Sequence, residues 1–218
     1  MNYRFFKPFV GARYKDGIQG KRVLVLGASF YCLKEQCEFF RQCTDTEKKD
    51  SSEFDEKCPY NNGNPLHDEP TNAGGLAYGV FEKFIRQYVD DEDDVWQHLA
   101  FTNYLQFFSP TIITKRQYLS DRDFEALCET LKEIKPDVVI TWGIAMLDDV
   151  QTNNPYVIDK DDLPKSKGYV CHMRYPDNDH IITIVSAYHP SAWRYWNNNL
   201  DDLKKYFEFA LAENADAE

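Results

Sequence analysis

A histidine able to titrate near neutral pH stands just past the end of an apolar run. His189-Pro190-Ser191 closely follows Ile181–Ala187. Pro190 has no N–H and biases the residue before it toward an extended conformation, so the run reads as a buried strand that stops abruptly. His189 is thereby held at the carboxyl end of a strand, where open α/β sheets place their ligands. A second strand-then-turn comes early, with Arg22-Val23-Leu24-Val25-Leu26 running into Gly27-Ala28-Ser29-Phe30-Tyr31. The two turns predict one crevice, with a titrating group and a polar loop side by side.

The rest of the chain supplies elements to hold those ends. Arg22–Leu26 alternates little and is rich in β-branched residues and leucine, the pattern of a parallel strand buried on both faces. His98–Tyr104 fits a second strand ending at Asn103, and Val138–Trp142 a third, closed by Gly143. Ile181–Ala187 is the fourth, and a small strand fits Tyr169–Met173. Helices are expected over Phe30–Cys43, Leu76–Val89, Asp121–Ile134, Ile144–Val150 and Leu200–Leu211, several with apolar residues at three- and four-residue steps. Strands alternating with helices predict a parallel sheet covered on both faces. Thr44–Gly75 is long, polar and rich in Asp, Asn, Pro and Lys, and reads as an insertion at about 44–75.

Composition bounds the function. The chain has 218 residues, which fits one domain with a large core. It is 43% hydrophobic and 15% aromatic, so it can fill that core. The net charge of −11 argues against strong non-specific grip on DNA, which normally needs a basic footprint. No apolar stretch approaches the ~18 residues that span a bilayer, and the N-terminus lacks a signal-peptide layout. The expected setting is the cytoplasm, with no membrane association. There the six cysteines stay reduced or bind metal. Cys32, Cys37, Cys43 and Cys58 cluster, with His67 nearby, at spacings of four, five and fourteen intervening residues. That is not the tight knuckle of structural zinc. The reading is free thiols and no cofactor; the alternative is a zinc or iron–sulphur staple for an insertion that has little core of its own. Cys128 and Cys171 read as buried.

In order along the chain, these segments resemble the uracil-DNA glycosylase superfamily. Gly27-Ala28-Ser29-Phe30-Tyr31 stands where that family carries a Gly-x-Asp-Pro-Tyr-like loop. Gly75-Leu76-Ala77-Tyr78 resembles its Gly-Leu-x-Phe segment, and Thr102-Asn103-Tyr104 the strand end whose asparagine reads the base. Val139-Ile140-Thr141-Trp142-Gly143 resembles its Leu-Trp-Gly strand, and His189-Pro190-Ser191 its second motif. The matches span most of residues 21–196. The run Phe101–Gln106 looks closer still to a poorly characterised glycosylase-like branch whose first motif reads Gly-Glu-Ser-His-Tyr.

The resemblance implies an α/β three-layer sandwich with a central, mainly parallel four-stranded sheet, a single uracil-DNA glycosylase-like domain over 1–218. It implies base excision of the kind used in DNA repair: hydrolysis of the N-glycosidic bond of a uracil-type or modified base. Its partner would be DNA or a nucleobase-containing ligand. His189 would stabilise the leaving anion, and Ser29 would stand at the water-positioning place. Asn103 has a donor and an acceptor suited to a pyrimidine edge, or caps a turn. Tyr78 would stack on the base, or is core. Tyr31 would narrow the pocket, or packs on the next helix. Gly27 and Ser191 complete the two motif loops. Trp193 and Arg194 would supply stacking and a phosphate contact, or simply start a helix.

The departures matter equally. Ser29 replaces the family's usual carboxylate, and a hydroxyl does not act alone as a general base near neutral pH. Against the closer branch, Ala28 and Phe30 replace Glu and His. These losses and the acidic balance favour the alternative, a non-catalytic member that binds nucleic acid, a nucleotide or a protein partner. The His-Pro-Ser and Thr-Asn-Tyr elements favour the enzyme. The oligomeric state is left open.

Overall fold

The computed structural model describes residues 4, 6–31, 76–90, 94–106, 108–109, 121–143, 156–157, 170–174 and 180–213. The strands are β1 (Phe9–Val10), β2 (Val23–Gly27), β3 (Phe30–Tyr31), β4 (Leu99–Asn103), β5 (Phe108–Ser109), β6 (Val138–Trp142), β7 (Val170–Arg174) and β8 (Ile181–Ala187). The helices are α1 (Leu76–Ile85), α2 (Asp121–Ile134), α3 (Trp193–Asn198) and α4 (Leu200–Ala212). Tight helical turns at Arg86–Tyr88 and Val95–His98 extend α1 and lead into β4.

The main sheet runs β1-β4-β2-β6-β8-β7. Its four central strands are parallel, and they are the four read from the sequence. The sheet itself is six-stranded and mixed, which corrects the expected mainly parallel four-stranded sheet. β1 pairs with β4 and β7 with β8, both antiparallel. The physical reason is exposure. Central strands lie under helices on both faces and read as near-continuous apolar runs, whereas edge strands do not. β7 alternates buried Cys171 and Met173 with exposed or half-buried neighbours, and β1 has only two residues. β3 and β5 pair in a separate two-stranded parallel sheet.

Successive strand residues point to opposite faces, and two clusters result. On one face Val23, Val25, Phe101, Ile140, Trp142 and Val185 pack with Ala77, Phe81, Phe84 and Ile85 of α1 and Leu203 and Phe207 of α4. On the other, Leu24, Leu26, Ala100, Val139 and Ile184 pack with Leu127, Leu131 and Ile134 of α2. Each of those three α2 side chains contributes about 1.5–3 kcal/mol by leaving water. α2 ends where Lys135 turns left-handed (φ 49°) and its N–H reaches the Leu131 carbonyl at 2.9 Å. Pro136 then prevents continuation. Cys171 is buried as expected, but Cys128 is only partly so, because it lies at the margin of the α2 face that meets the sheet.

The expected helices at Phe30–Cys43 and Ile144–Val150 and the insertion at 44–75 lie outside the described residues, apart from the backbone of β3. No helix among the described residues is long and apolar enough to cross a membrane.

Candidate functional site

The parallel strands β4, β2, β6 and β8 end together, and the register sets what faces one side. Gly27 pairs with Asn103, and Trp142 with Ala187. Asn103, Gly27, Trp142 and Ala187 thus form the last row of the face covered by α1 and α4. His189 leaves the sheet two residues later. Residues 27–31 and 188–194 emerge at the same end of the sheet but are not immediate neighbours, because β6 separates β2 from β8.

His189 is oriented from both sides. Its ring meets the Trp142 indole edge-on, with centroids 5.7 Å apart. Its Nδ1 accepts the Ser191 backbone N–H at 3.2 Å and lies 2.7 Å from Ser191 Oγ. A backbone N–H can only donate, so Nδ1 carries no proton and the neutral ring holds its proton on Nε2. Nε2–H then has no acceptor among the described residues. Burial lowers the imidazole pKa below its ordinary value and favours this neutral form. The Pro-Ser turn therefore places a neutral donor at the strand end.

Asn103 is 4% exposed, yet its carboxamide has no hydrogen-bond partner among the described residues. Its turn is held tightly. Tyr104 N–H and Leu105 N–H donate to the Gly27 and Ala28 carbonyls at 2.8 and 3.0 Å. Gln106 Nε2 donates to the Asn103 carbonyl at 2.8 Å, and Gln106 Oε1 accepts the Phe6 N–H at 3.0 Å. The Gln106 N–H donates to the buried Asp123 carboxylate at 2.9 Å. Gly27 makes room for the asparagine: a Cβ built there lies 2.2 Å from Asn103 Oδ1 and 3.1 Å from Phe101 Cζ. Only glycine permits this approach.

An aromatic wall joins the two. Trp142 meets Phe101 at 5.4 Å, Tyr78 at 5.5 Å and Phe81 at 5.1 Å. Tyr78 also meets Trp96 and Phe101 edge-on at 5.9 and 5.7 Å. It packs as part of the cluster rather than as a free plate, and burial pushes its phenol up to about 12, so it stays protonated.

Ser29 follows the end of β2. Its hydroxyl is buried and has no partner among the described residues. Tyr31 lies in β3, alongside Ser109. Beyond the His-Pro-Ser turn, Trp193 is 59% exposed and Arg194 is exposed at the start of α3. Cys32, Cys37, Cys43, Cys58 and His67 lie outside the described residues. No metal-holding group of three His, Cys, Asp or Glu occurs among the described residues.

Gln106, Asp123 and the bridging contact of Trp142 were missed from the sequence. Gln106 alone had a signal, as a lone amide three residues past a strand-end asparagine. The Trp142–His189 contact joins residues distant in sequence and leaves no local trace. Buried carboxylates are rare, so Asp123 reads from sequence as an ordinary first-turn acid. Comparison with protein-family models and with curated protein sequences finds no match for this chain.

Proposed function

We propose that this chain is a uracil-DNA glycosylase-like domain that hydrolyses the N-glycosidic bond of a uracil-type or modified base in DNA. One observation carries the reading: two polar groups without partners among the described residues end one sheet face, the carboxamide of Asn103, a residue 4% exposed, and the neutral Nε2–H of His189. Between them lie the rings of Trp142 and Phe101, 2% and 1% exposed, a packed apolar floor. Asn103 offers a donor and an acceptor to the base edge. As the C1′–N bond breaks, its electron pair passes to the base, and Nε2–H stabilises the anion that leaves. Water adds to C1′, and the proton it loses neutralises the base. Ser29 can orient that water but not deprotonate it. Rate enhancement would then rest on leaving-group stabilisation.

The hydroxyl at position 29 also favours a second reading, a member that binds a base without releasing it. Oligonucleotides carrying a panel of modified bases, treated with alkali after incubation, separate the two. Cleavage supports the enzyme, and His189→Ala should then lower the rate about a hundred- to a thousandfold, equivalent to ~2.7–4 kcal/mol. Ser29→Asp should raise it on uracil-containing DNA. If wild type and Ser29→Asp leave every base intact, the enzyme reading fails. If His189→Ala also leaves binding of those oligonucleotides unchanged, base recognition at this site fails with it.

A further inference from the structure

We infer that Gln106 is a positioning residue for the base pocket: it sets Asn103 through the backbone and ties recognition to the seating of the segment before β1. The inference deepens the proposed function and rests on it only for what the pocket binds.

The peptide plane between Asn103 and Tyr104 has two polar atoms, and both are held. Tyr104 N–H donates to the Gly27 carbonyl at 2.8 Å, and the Asn103 carbonyl accepts from Gln106 Nε2 at 2.8 Å. Rotating that plane changes ψ of Asn103, and backbone angles govern which side-chain rotamers are open. Little slack exists to absorb such a turn, because Asn103 Oδ1 lies only 2.2 Å from where a Cβ on Gly27 would stand. Gln106 itself is 2% exposed, too buried to touch a ligand. It acts through Asn103.

Two other parts of the chain hold Gln106. Its backbone N–H donates to the Asp123 carboxylate of α2 at 2.9 Å, and its Oε1 accepts the Phe6 N–H at 3.0 Å. Phe6 is fully buried. Arg4 pairs with Glu129 at 3.7 Å and with Glu133, both on α2. The segment before β1, the end of β4 and α2 therefore close a ring through one residue. The side chain at 106 must accept on one side and donate on the other. A carboxamide does both at every pH, a carboxyl does so only when protonated, and methionine cannot donate.

That difference supplies the test. The Asn103 side-chain NH2 signals are followed by NMR, identified by their loss in Asn103→Asp. Gln106→Met should shift them and speed exchange of the Tyr104 amide about two- to tenfold relative to β6, the worth of one hydrogen bond. Gln106→Glu should resemble Gln106→Met at about pH 8 and approach wild type near about pH 5, because burial and the neighbouring Asp123 carboxylate raise the pKa of the introduced carboxyl into that window. The same proteins are titrated with two oligonucleotides that differ in one base, deoxyuridine or deoxycytidine. Gln106→Met should weaken the uracil strand by up to about a hundredfold and leave the cytosine strand unchanged, a split that general destabilisation does not produce. Arg4→Ala should cost at most about fivefold, since its ion pairs are partly exposed.

Unmoved Asn103 signals in Gln106→Met overturn the inference, as does a Gln106→Glu protein whose pH response matches wild type. So does a greater loss in Arg4→Ala than in Gln106→Met, because the segment would then act by another route. If Gln106→Met does not fold, the pH series of Gln106→Glu decides. A wild type that does not distinguish the two strands removes uracil recognition, and the Asn103 signals then decide the positioning by themselves. Full uracil preference in Gln106→Met beside unmoved signals keeps the recognition and removes the positioning.

Discussion

Gly27→Ala should separate function from stability, and the geometry says by how much. The new methyl would lie 2.2 Å from Asn103 Oδ1 and 3.3 Å from Asn103 Cγ, with the Phe101 ring at 3.1 Å. To restore ordinary contact the carboxamide must move by about 1 Å, a displacement able to cost a bound complex on the order of a hundredfold. Stability should barely register it. Gly27 lies in a strand with no left-handed φ, so alanine fits its backbone. Turning Asn103 off its rotamer costs ~0.5–1.5 kcal/mol. Removing a glycine from the unfolded chain returns ~0.4–1 kcal/mol. The net should fall within about 1 kcal/mol, a shift of ~2–4 °C in a chain of this size. The assay is thermal unfolding beside single-turnover base release, or base-dependent oligonucleotide binding if nothing is released. Because the effect acts through one side chain, Gly27→Ala should add nothing in an Asn103→Ala background. Wild-type function in Gly27→Ala, a drop well beyond 4 °C, or additive losses in the double variant would refute the argument.

Three further outcomes follow from the same geometry. Burial lowers the His189 pKa, so the folded protein binds fewer protons there than the unfolded chain. Its imidazole should stay neutral below pH ~6.5, and the fold should lose stability as pH falls through that value toward the folded pKa; an NMR titration midpoint at or above 6.5 contradicts this. Burial pushes the Asp137 carboxyl up, but hydrogen bonds from the Arg22 guanidinium and backbone, both at 2.9 Å, prevail and hold it below the usual carboxylate range. Its contribution is present above pH ~3.9 and disappears as pH falls through the folded value; Arg22→Ala should flatten that limb and cost roughly 1.5 kcal/mol at neutral pH, the low end for a half-exposed charged pair, and an unchanged acid-unfolding curve would count against it. Thr141 is fully buried with an unpartnered hydroxyl, beside a small cavity whose other lining side chains are all apolar and offer a water no second partner. Thr141→Val should raise stability by about 1 kcal/mol in denaturant unfolding, and a destabilised variant would mean that the hydroxyl has a partner.

What the sequence determined by itself was the periodic part of the protein. Val23–Leu26, Leu99–Asn103, Val138–Trp142 and Ile181–Ala187 are legible because strands buried on both faces read as near-continuous apolar runs rather than alternating ones. α1, α2 and α4 are legible because a helix on a sheet must bury one stripe. The turn at His189-Pro190-Ser191 is legible because proline's restriction is local. Tertiary structure decided everything that depends on residues meeting across the chain. The small strand expected over Tyr169–Met173 is β7, but that it and β1 close the sheet as antiparallel edges is decided by their partners. β6 inserts between β2 and β8 and so keeps the two strand-end turns apart. Asn103 lies over Gly27 because parallel register aligns them, and Gln106 and Asp123 hold the turn that carries it. Tyr78 is drawn into an aromatic cluster whose members come from three separate segments. The proton on His189 follows from a hydrogen bond only two residues long, yet its lowered basicity comes from burial at the end of a sheet assembled by the whole chain. Periodicity is a property of neighbours in sequence, whereas burial, register and the orphaned carboxamide of Asn103 are properties of neighbours in space.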